Sequence, residues 1–185
     1  MIIIVAGVAG SGKTTVGAML AGRVRWRFAD GDDFHPAANI EKMRAGIPLT
    51  DEDRLPWLHS IAAWMDERIA HDEPAVICCS ALKRPYRDIL LDDRPETRLV
   101  FLVVQPEVLA RRLAARHAHF FPAQLLSSQL DAVEPPQPGE RAVTVIEHDA
   151  DQPADTVATI IRLLRLDEAA GPGAAAPPGG RDAGT

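Results

Sequence analysis

The sequence predicts an α/β domain, a parallel sheet flanked by helices, and three observations carry that expectation. The chain opens on a β-branched apolar run, Met1-Ile2-Ile3-Ile4-Val5-Ala6, of the kind a strand buried on both faces requires. That run passes directly into Gly7-Val8-Ala9-Gly10-Ser11-Gly12-Lys13-Thr14, which fills the phosphate-binding pattern G-x-x-x-x-G-K-[ST]. Strand and helix signals then alternate along the chain, as parallel crossovers demand. At 185 residues and 46% hydrophobic, the chain can bury one good core, which favours a single domain.

The elements follow in order. Thr15 through Val24 reads as a helix with Val16, Met19 and Leu20 on one face. Trp26 to Ala29 reads as a short second strand that delivers Asp30-Gly31-Asp32-Asp33 to the C-terminal edge of the sheet, where open α/β sheets bind ligands. Asn39 to Arg44 is helical, Gly46-Ile47-Pro48 breaks the pattern, and Asp51 is placed to cap a longer helix carrying Leu55, Leu58, Ile61, Ala62 and Met65. This helical insertion is expected to form one wall of a substrate cleft. Ala75 to Cys79 makes a third strand ending at Ser80, and Arg98 to Val104 a fourth. Pro106 starts a helix through about Arg116, and a polar, proline-containing stretch runs on to about Gly139. Ala142 to Ile146 gives a short last strand and Ala154 to Leu166 a closing helix, so the domain occupies residues 1–166. From Asp167 to Thr185, 14 of 19 residues are Gly, Ala or Pro without periodicity, too little to build a packed element, and a disordered tail is expected.

Charge and composition exclude several classes. A formal net charge of −6 and a pI near 5.5 argue against a nucleic-acid binder, which would present a basic face to the phosphate backbone. Cys78 and Cys79 are adjacent in an apolar run, so they cannot comfortably bridge each other and offer no spaced metal-ligand set. Buried free thiols in a reducing compartment fit them better. The N-terminal apolar run is too short for a membrane span and lacks a basic leader, so a cytoplasmic protein without a membrane partner is expected.

The phosphate loop dictates its own chemistry. Its glycines let the backbone of Gly7, Val8, Ala9, Gly10, Ser11 and Gly12 curl so that N–H groups face phosphate oxygens, with Lys13, Thr14 and Thr15 completing the nucleotide contacts where the following helix adds a dipole that favours anions. Lys13 is expected to reach the β- and γ-phosphates of ATP, and Thr14 to offer a hydroxyl to Mg²⁺. The chain contains no Asn-Lys-x-Asp guanine-reading element, and no Asp-x-x-Gly switch follows the second half of the sheet, which counts against a GTPase. A short chain, an acidic cluster after the second strand, a helical insertion and a late arginine-bearing helix suggest a P-loop NTPase fold of the nucleoside-monophosphate-kinase-like type, with a lid that dehydrates the site.

Further blocks are more specific. Asp30-Gly31-Asp32-Asp33-Phe34-His35-Pro36, Asn39-Ile40-Glu41-Lys42-Met43, Gly46 to Arg54, Pro56-Trp57-Leu58, Cys79 to Arg84 with Tyr86-Arg87-Asp88, and Arg112-Leu113 followed by Arg116, His119 and Phe120 resemble the gluconokinase family throughout. The resemblance implies ATP-dependent phosphorylation of D-gluconate at its terminal hydroxyl, giving 6-phosphogluconate and ADP. It is also the only ground for a homodimer. Asp32, at the end of the second strand and across from the phosphate loop, is the candidate for orienting and deprotonating the acceptor hydroxyl, and Asp30 for holding a Mg²⁺-bound water or the loop. Asp33 is assigned to capping the turn. Gluconate carries a carboxylate and several hydroxyls, for which Arg54, Lys83 and Arg87 are candidates by motif position, with His35 on a hydroxyl.

Arg112 and Arg116, spaced i, i+4, project from one helical face towards the ATP phosphates as the lid closes. His119 either contacts ligand or packs within the lid. Two departures stand out: His117-Ala118 replaces the Lys-Gly pair frequent before the lid His-Phe, removing backbone freedom, and Ala132-Val133-Glu134-Pro135 stands where Leu-Glu-Glu-Pro is frequent. The competing readings are another small-molecule P-loop kinase, shikimate- or adenylylsulfate-kinase-like, and a nucleotide-binding regulator without catalysis.

Overall fold

A computed structural model describes residues 1–114, 123–147 and 152–166. Its elements are β1 (Ile2–Ala6), α1 (Lys13–Val24), β2 (Arg27–Asp30), a 3₁₀ turn (Gly31–Phe34), α2 (Ala37–Arg44), α3 (Asp51–Ala70), β3 (Ala75–Cys79), α4 (Arg84–Leu91), β4 (Thr97–Val104), α5 (Pro106–Ala114), α6 (Ala123–Asp131), β5 (Ala142–Glu147) and α7 (Pro153–Leu164). All five strands are parallel, in the order β2-β3-β1-β4-β5. The strand that feeds the phosphate loop is therefore central, with β3 and β4 on either side of it. No helix among the described residues is long and apolar enough to cross a membrane.

Strand alternation divides the core into two layers. Ile2, Ile4, Ala6, Ala75, Ile77, Cys79, Leu99 and Phe101 face α3 and α4, packing on Trp57, Leu58, Ile61, Met65 and Leu90. Ile3, Val5, Val76, Cys78, Val100 and Leu102 face α1 and α7, packing on Val16, Leu20, Val157 and Ile160. The β-branched runs are buried on both sides because helices cover both faces.

Several local expectations need correction. Met19 is 43% exposed, because the buried stripe of α1 is Val16, Gly17, Leu20 and Ala21. On α3, Leu55 is exposed and Trp57 is buried beside Leu58, Ile61, Ala62 and Met65. The cap of that helix is Thr50, not Asp51: the Thr50 hydroxyl accepts from the Asp53 N–H, while the Asp53 carboxylate accepts from the Thr50 N–H. Helices α4 and α6 were not expected. Pro85 near the start of α4, with Tyr86, Arg87, Leu90 and Leu91 on its buried side, was the available signal, hidden by an arginine in an apolar position. For α6 it was Pro122 before Ala123 with Leu126 and Leu130 four apart.

Arg87 is the largest correction. Expected among the gluconate-binding cations, it is 0% exposed and every guanidinium nitrogen is engaged within the protein. Its Nε and one terminal nitrogen donate to the Glu140 carboxylate at 2.7 and 3.1 Å, and the other donates to the carbonyls of Leu82 and Glu134 at 3.1 and 2.9 Å. Hydrogen bonding from Arg87 holds the Glu140 carboxyl below its usual range. The Arg84 N–H, at the start of α4, donates to the Glu134 carboxylate at 2.7 Å, placing an anion at a helix N-terminus. This staple fastens the segment after α6 to α4.

Arg87→Met would strip the 2%-exposed Glu140 carboxylate of its two guanidinium hydrogen bonds, leaving the Arg84 guanidinium at 3.8 Å. The expected loss of stability is about 3–5 kcal/mol, read from urea unfolding. A variant of unchanged stability and raised gluconate KM would return Arg87 to the ligand site.

Candidate active site

The phosphate loop leaves β1 after buried Ala6 and adopts positive φ at Gly7, Gly10 and Gly12, values of 146°, 82° and 86° that side-chain-bearing residues rarely take. Gly12 caps α1 without any side-chain hydrogen bond, so the first-turn N–H groups stay open to an anion. The loop is tied down from outside: the Gly7 N–H donates to the Ser80 carbonyl at the end of β3, and the Cys78 thiol donates to the Lys13 carbonyl at 3.0 Å. The result is a fixed cradle with Lys13 at its rim, and it fits a nucleotide's phosphates.

Across from it stands the end of β2. The Thr14 hydroxyl donates to Asp30 Oδ2 at 3.1 Å, and the Asp32 N–H donates to Asp30 Oδ1 at 3.1 Å. Asp30 is thus both the cap of the acidic turn and a partner of the loop. Handing its proton to Asp30 leaves the Thr14 lone pairs available to a cation. Among the described residues no group of three or more His, Cys, Asp or Glu could hold a metal. That donor set suits Mg²⁺, which keeps waters and phosphate oxygens as most of its ligands.

The turn holding Asp32 is clamped from below. Trp57 Nε1 donates to the Gly31 carbonyl at 2.6 Å, and a Cβ at Gly31 would lie 2.3 Å from the Cys78 carbonyl oxygen. Asp32 itself is exposed. Desolvation there raises its pKa above 3.8, with Asp30 and Asp33 adding to the rise and Lys13 opposing it. A carboxylate with enhanced basicity faces the phosphate-loop lysine, the pairing that proton removal beside a phosphoryl group requires.

His35 stacks on Trp57, ring centroids 4.3 Å apart and planes 11° from parallel. Asn39 Nδ2 donates to the Asp53 carbonyl at 2.7 Å, which fixes the orientation of the amide. The same Nδ2 lies 3.4 Å from His35 Nδ1 and makes that nitrogen the acceptor. The neutral ring then carries its proton on Nε2. Burial, with Arg54 nearby, lowers the His35 pKa to about 4, so the ring is an uncharged donor at neutral pH.

Arg54 and Lys83 flank the Tyr86 ring at 5.9 and 5.7 Å. Asp51 Oδ1 accepts from Lys83 Nζ at 2.7 Å and from the Tyr86 hydroxyl at 2.5 Å, hydrogen bonds that hold the Asp51 carboxyl below its usual range, Lys83 first. The first turns of α3 and α4 thereby present two cations and one carboxylate at a shared rim. Lys42 closes on Asp53 at 2.7 and 2.8 Å, bracing α2 against α3.

Arg112 lies in the last turn of α5. Arg116, His119, the His117-Ala118 departure and the tail from Asp167 onward lie outside the described residues. Lys13, Thr14, Asp30 and Asp32 share one site, His35 joins Asp32 through the acidic turn and Trp57, and Arg54 with Lys83 forms its outer rim. Gln129 of α6 was not anticipated: its Oε1 accepts from the Ala9 N–H at 2.7 Å.

Comparison with known proteins agrees with this geometry. The model of the shikimate kinase family matches residues 9–164. A gluconokinase of Gluconobacter oxydans is 46% identical over 143 residues, covering 77% of this chain and 80% of that protein. Among solved structures, a gluconokinase from Sinorhizobium meliloti 1021 is 45% identical with TM-score 0.77, covering 90% of this chain and 93% of that one. An unliganded sugar kinase from Janibacter sp. HTCC2649 is 40% identical with TM-score 0.84, covering 91% of this chain and 96% of that one.

Proposed function

The chain belongs to the gluconokinase family, and we propose that its site moves the terminal phosphoryl group of ATP to the terminal hydroxyl of D-gluconate, giving 6-phospho-D-gluconate and ADP. The observation that carries this reading is the placement of Asp32 opposite a complete phosphate loop, with neutral His35 and the Arg54/Lys83 rim beyond it.

ATP supplies the phosphoryl group, and Mg²⁺ when bound would spread the phosphate charge, with the Thr14 hydroxyl and, through water, Asp30 as the residues that would hold it. The N–H groups of Gly7, Ala9 and Ser11, expected to face phosphate, are bonded instead to Ser80, Gln129 and Val8, so the remaining loop N–H groups and the α1 N-terminus hold the phosphates in place. Lys13 offsets negative charge on the group in flight. Asp32 orients the acceptor hydroxyl and takes its proton, so that the oxygen becomes a nucleophile as its bond to phosphorus forms. His35 donates from Nε2 to a sugar-acid oxygen without adding charge. Arg54 and Lys83 supply the positive rim that a carboxylate seeks, Lys83 exchanging its Asp51 partner for the ligand. Arg112, with Arg116 beyond it, neutralises phosphate charge from the lid side.

The test is a coupled assay of ADP formation with a panel of acceptors: gluconate, other sugar acids and shikimate. Selective turnover of gluconate is expected. Turnover confined to shikimate or another acceptor, or nucleotide binding with no turnover on any, would overturn the reading.

A further inference from the structure

Gln129 reaches the phosphate loop from an unexpected side. The helix that carries it, α6, packs Leu130 against the core layer that also holds Trp57, Leu58, Leu82 and Tyr86, the layer from which α3 and α4 present the acceptor rim. Beyond α6 the chain is pinned: Val133 packs on the same layer, the Glu134 N–H donates to the Leu82 carbonyl at 2.9 Å, and Arg87 donates to the Glu134 carbonyl. Gln129 therefore approaches from a braced helix on the acceptor side and meets the loop at Ala9, before the Gly12–Thr14 segment that opens α1.

A primary carboxamide offers an oxygen acceptor and an NH₂ with two donors in one plane. Here the oxygen is committed at 2.7 Å to the Ala9 N–H, and among the described residues no hydrogen bond engages the nitrogen. With the oxygen pinned at 2.7 Å on Ala9, Nε2 is held within a carboxamide's width of the phosphate loop.

We propose that Gln129 is a further catalytic residue: its carboxamide oxygen stays on the Ala9 N–H while its Nε2 donates to a non-bridging oxygen of the transferring phosphoryl group. This rests on the phosphoryl-transfer reading above. A neutral donor fixed before the reaction stabilises charge at that oxygen without having to reorganise. No atom of Gln129 is consumed or released.

Two variants separate this role from simple bracing of the loop. Gln129→Met removes both hydrogen-bonding ends. Gln129→Glu keeps an oxygen for the Ala9 N–H but has no donor, and it sets a negative charge beside the phosphate. Single-turnover rates of both are expected to fall by on the order of 10²-fold, the Glu variant at least as far as the Met. ADP occupies the same loop but lacks the transferable group, so its affinity should stay within about threefold of wild type for the Met variant.

Wild-type rates for either variant would overturn the proposal, as would ADP affinity in the Met variant weakening in step with its rate, which is the signature of a deformed loop. Should the Met variant fail to fold, the rate of the Glu variant decides the question alone. A wild-type protein that phosphorylates no gluconate overturns the parent reading instead, and this inference with it.

Discussion

Turnover falls by on the order of 10²-fold or more when Lys13 is replaced by alanine, with the fold retained. Lys13 sits at the rim of a cradle whose backbone is held by Ser80 and Cys78, not by its own side chain, so the loop survives the loss. What disappears is the one side-chain cation of the phosphate loop itself, at the point where charge shifts from one oxygen to another. The same charge also restrains the basicity of Asp32. In the Lys13→Ala variant the residual activity should therefore show its acid limb at higher pH than wild type. Steady-state rates and a pH profile measure both effects, and near-normal turnover by a folded variant would remove Lys13 from the mechanism.

Asp32→Asn is expected to cost about 10²–10⁴-fold in turnover, the range for a positioned general base, with a smaller change in gluconate KM. Its effect on stability has the opposite sign. Desolvation raises the folded-state pKa of Asp32 above 3.8, so the ionised carboxylate is disfavoured by folding. Below pH 3.8 the group contributes nothing; as pH rises through the folded-state value, ionisation costs stability. At pH 7 the asparagine variant should melt at the same temperature as wild type or above it, a dead but sturdier protein. The acid limb of the wild-type profile, displaced upward from that of an ordinary carboxylate, should be absent from its residual activity. A variant in which only gluconate KM rises would make Asp32 a binding group.

Much of this architecture was legible because its causes are local. The run of β-branched residues before a glycine loop can hardly be anything but the central strand, and Ala75 to Cys79 is bounded as expected. The acidic turn was placed correctly because it follows a strand that must end at the ligand-binding edge. What was illegible depended on distant partners. Arg87 looks like a ligand cation in sequence, and only Glu140, 53 residues away, turns it inward. Gln129 lies 120 residues from Ala9, and nothing near it in the chain announces the contact. Asn39 looked like an ordinary helix residue, yet its hold on the Asp53 carbonyl decides which nitrogen of His35 carries the proton.

Gly31 has no side chain to offer to chemistry, yet it stands between two aspartates that do, against the Cys78 carbonyl and hydrogen-bonded through its own carbonyl to the Trp57 indole. Any side chain there would collide with main chain, which cannot swing aside as a lysine would. The glycine in Asp-Gly-Asp is thus as indispensable as its neighbours, for a reason of space alone. Tolerance to substitution, mapped residue by residue, would mark all three alike and so could not tell a reagent from its pedestal. Separating them takes an assay in which the folded fraction and the rate per folded molecule are counted apart: changes at Gly31 drain the first, and changes at Asp32 the second.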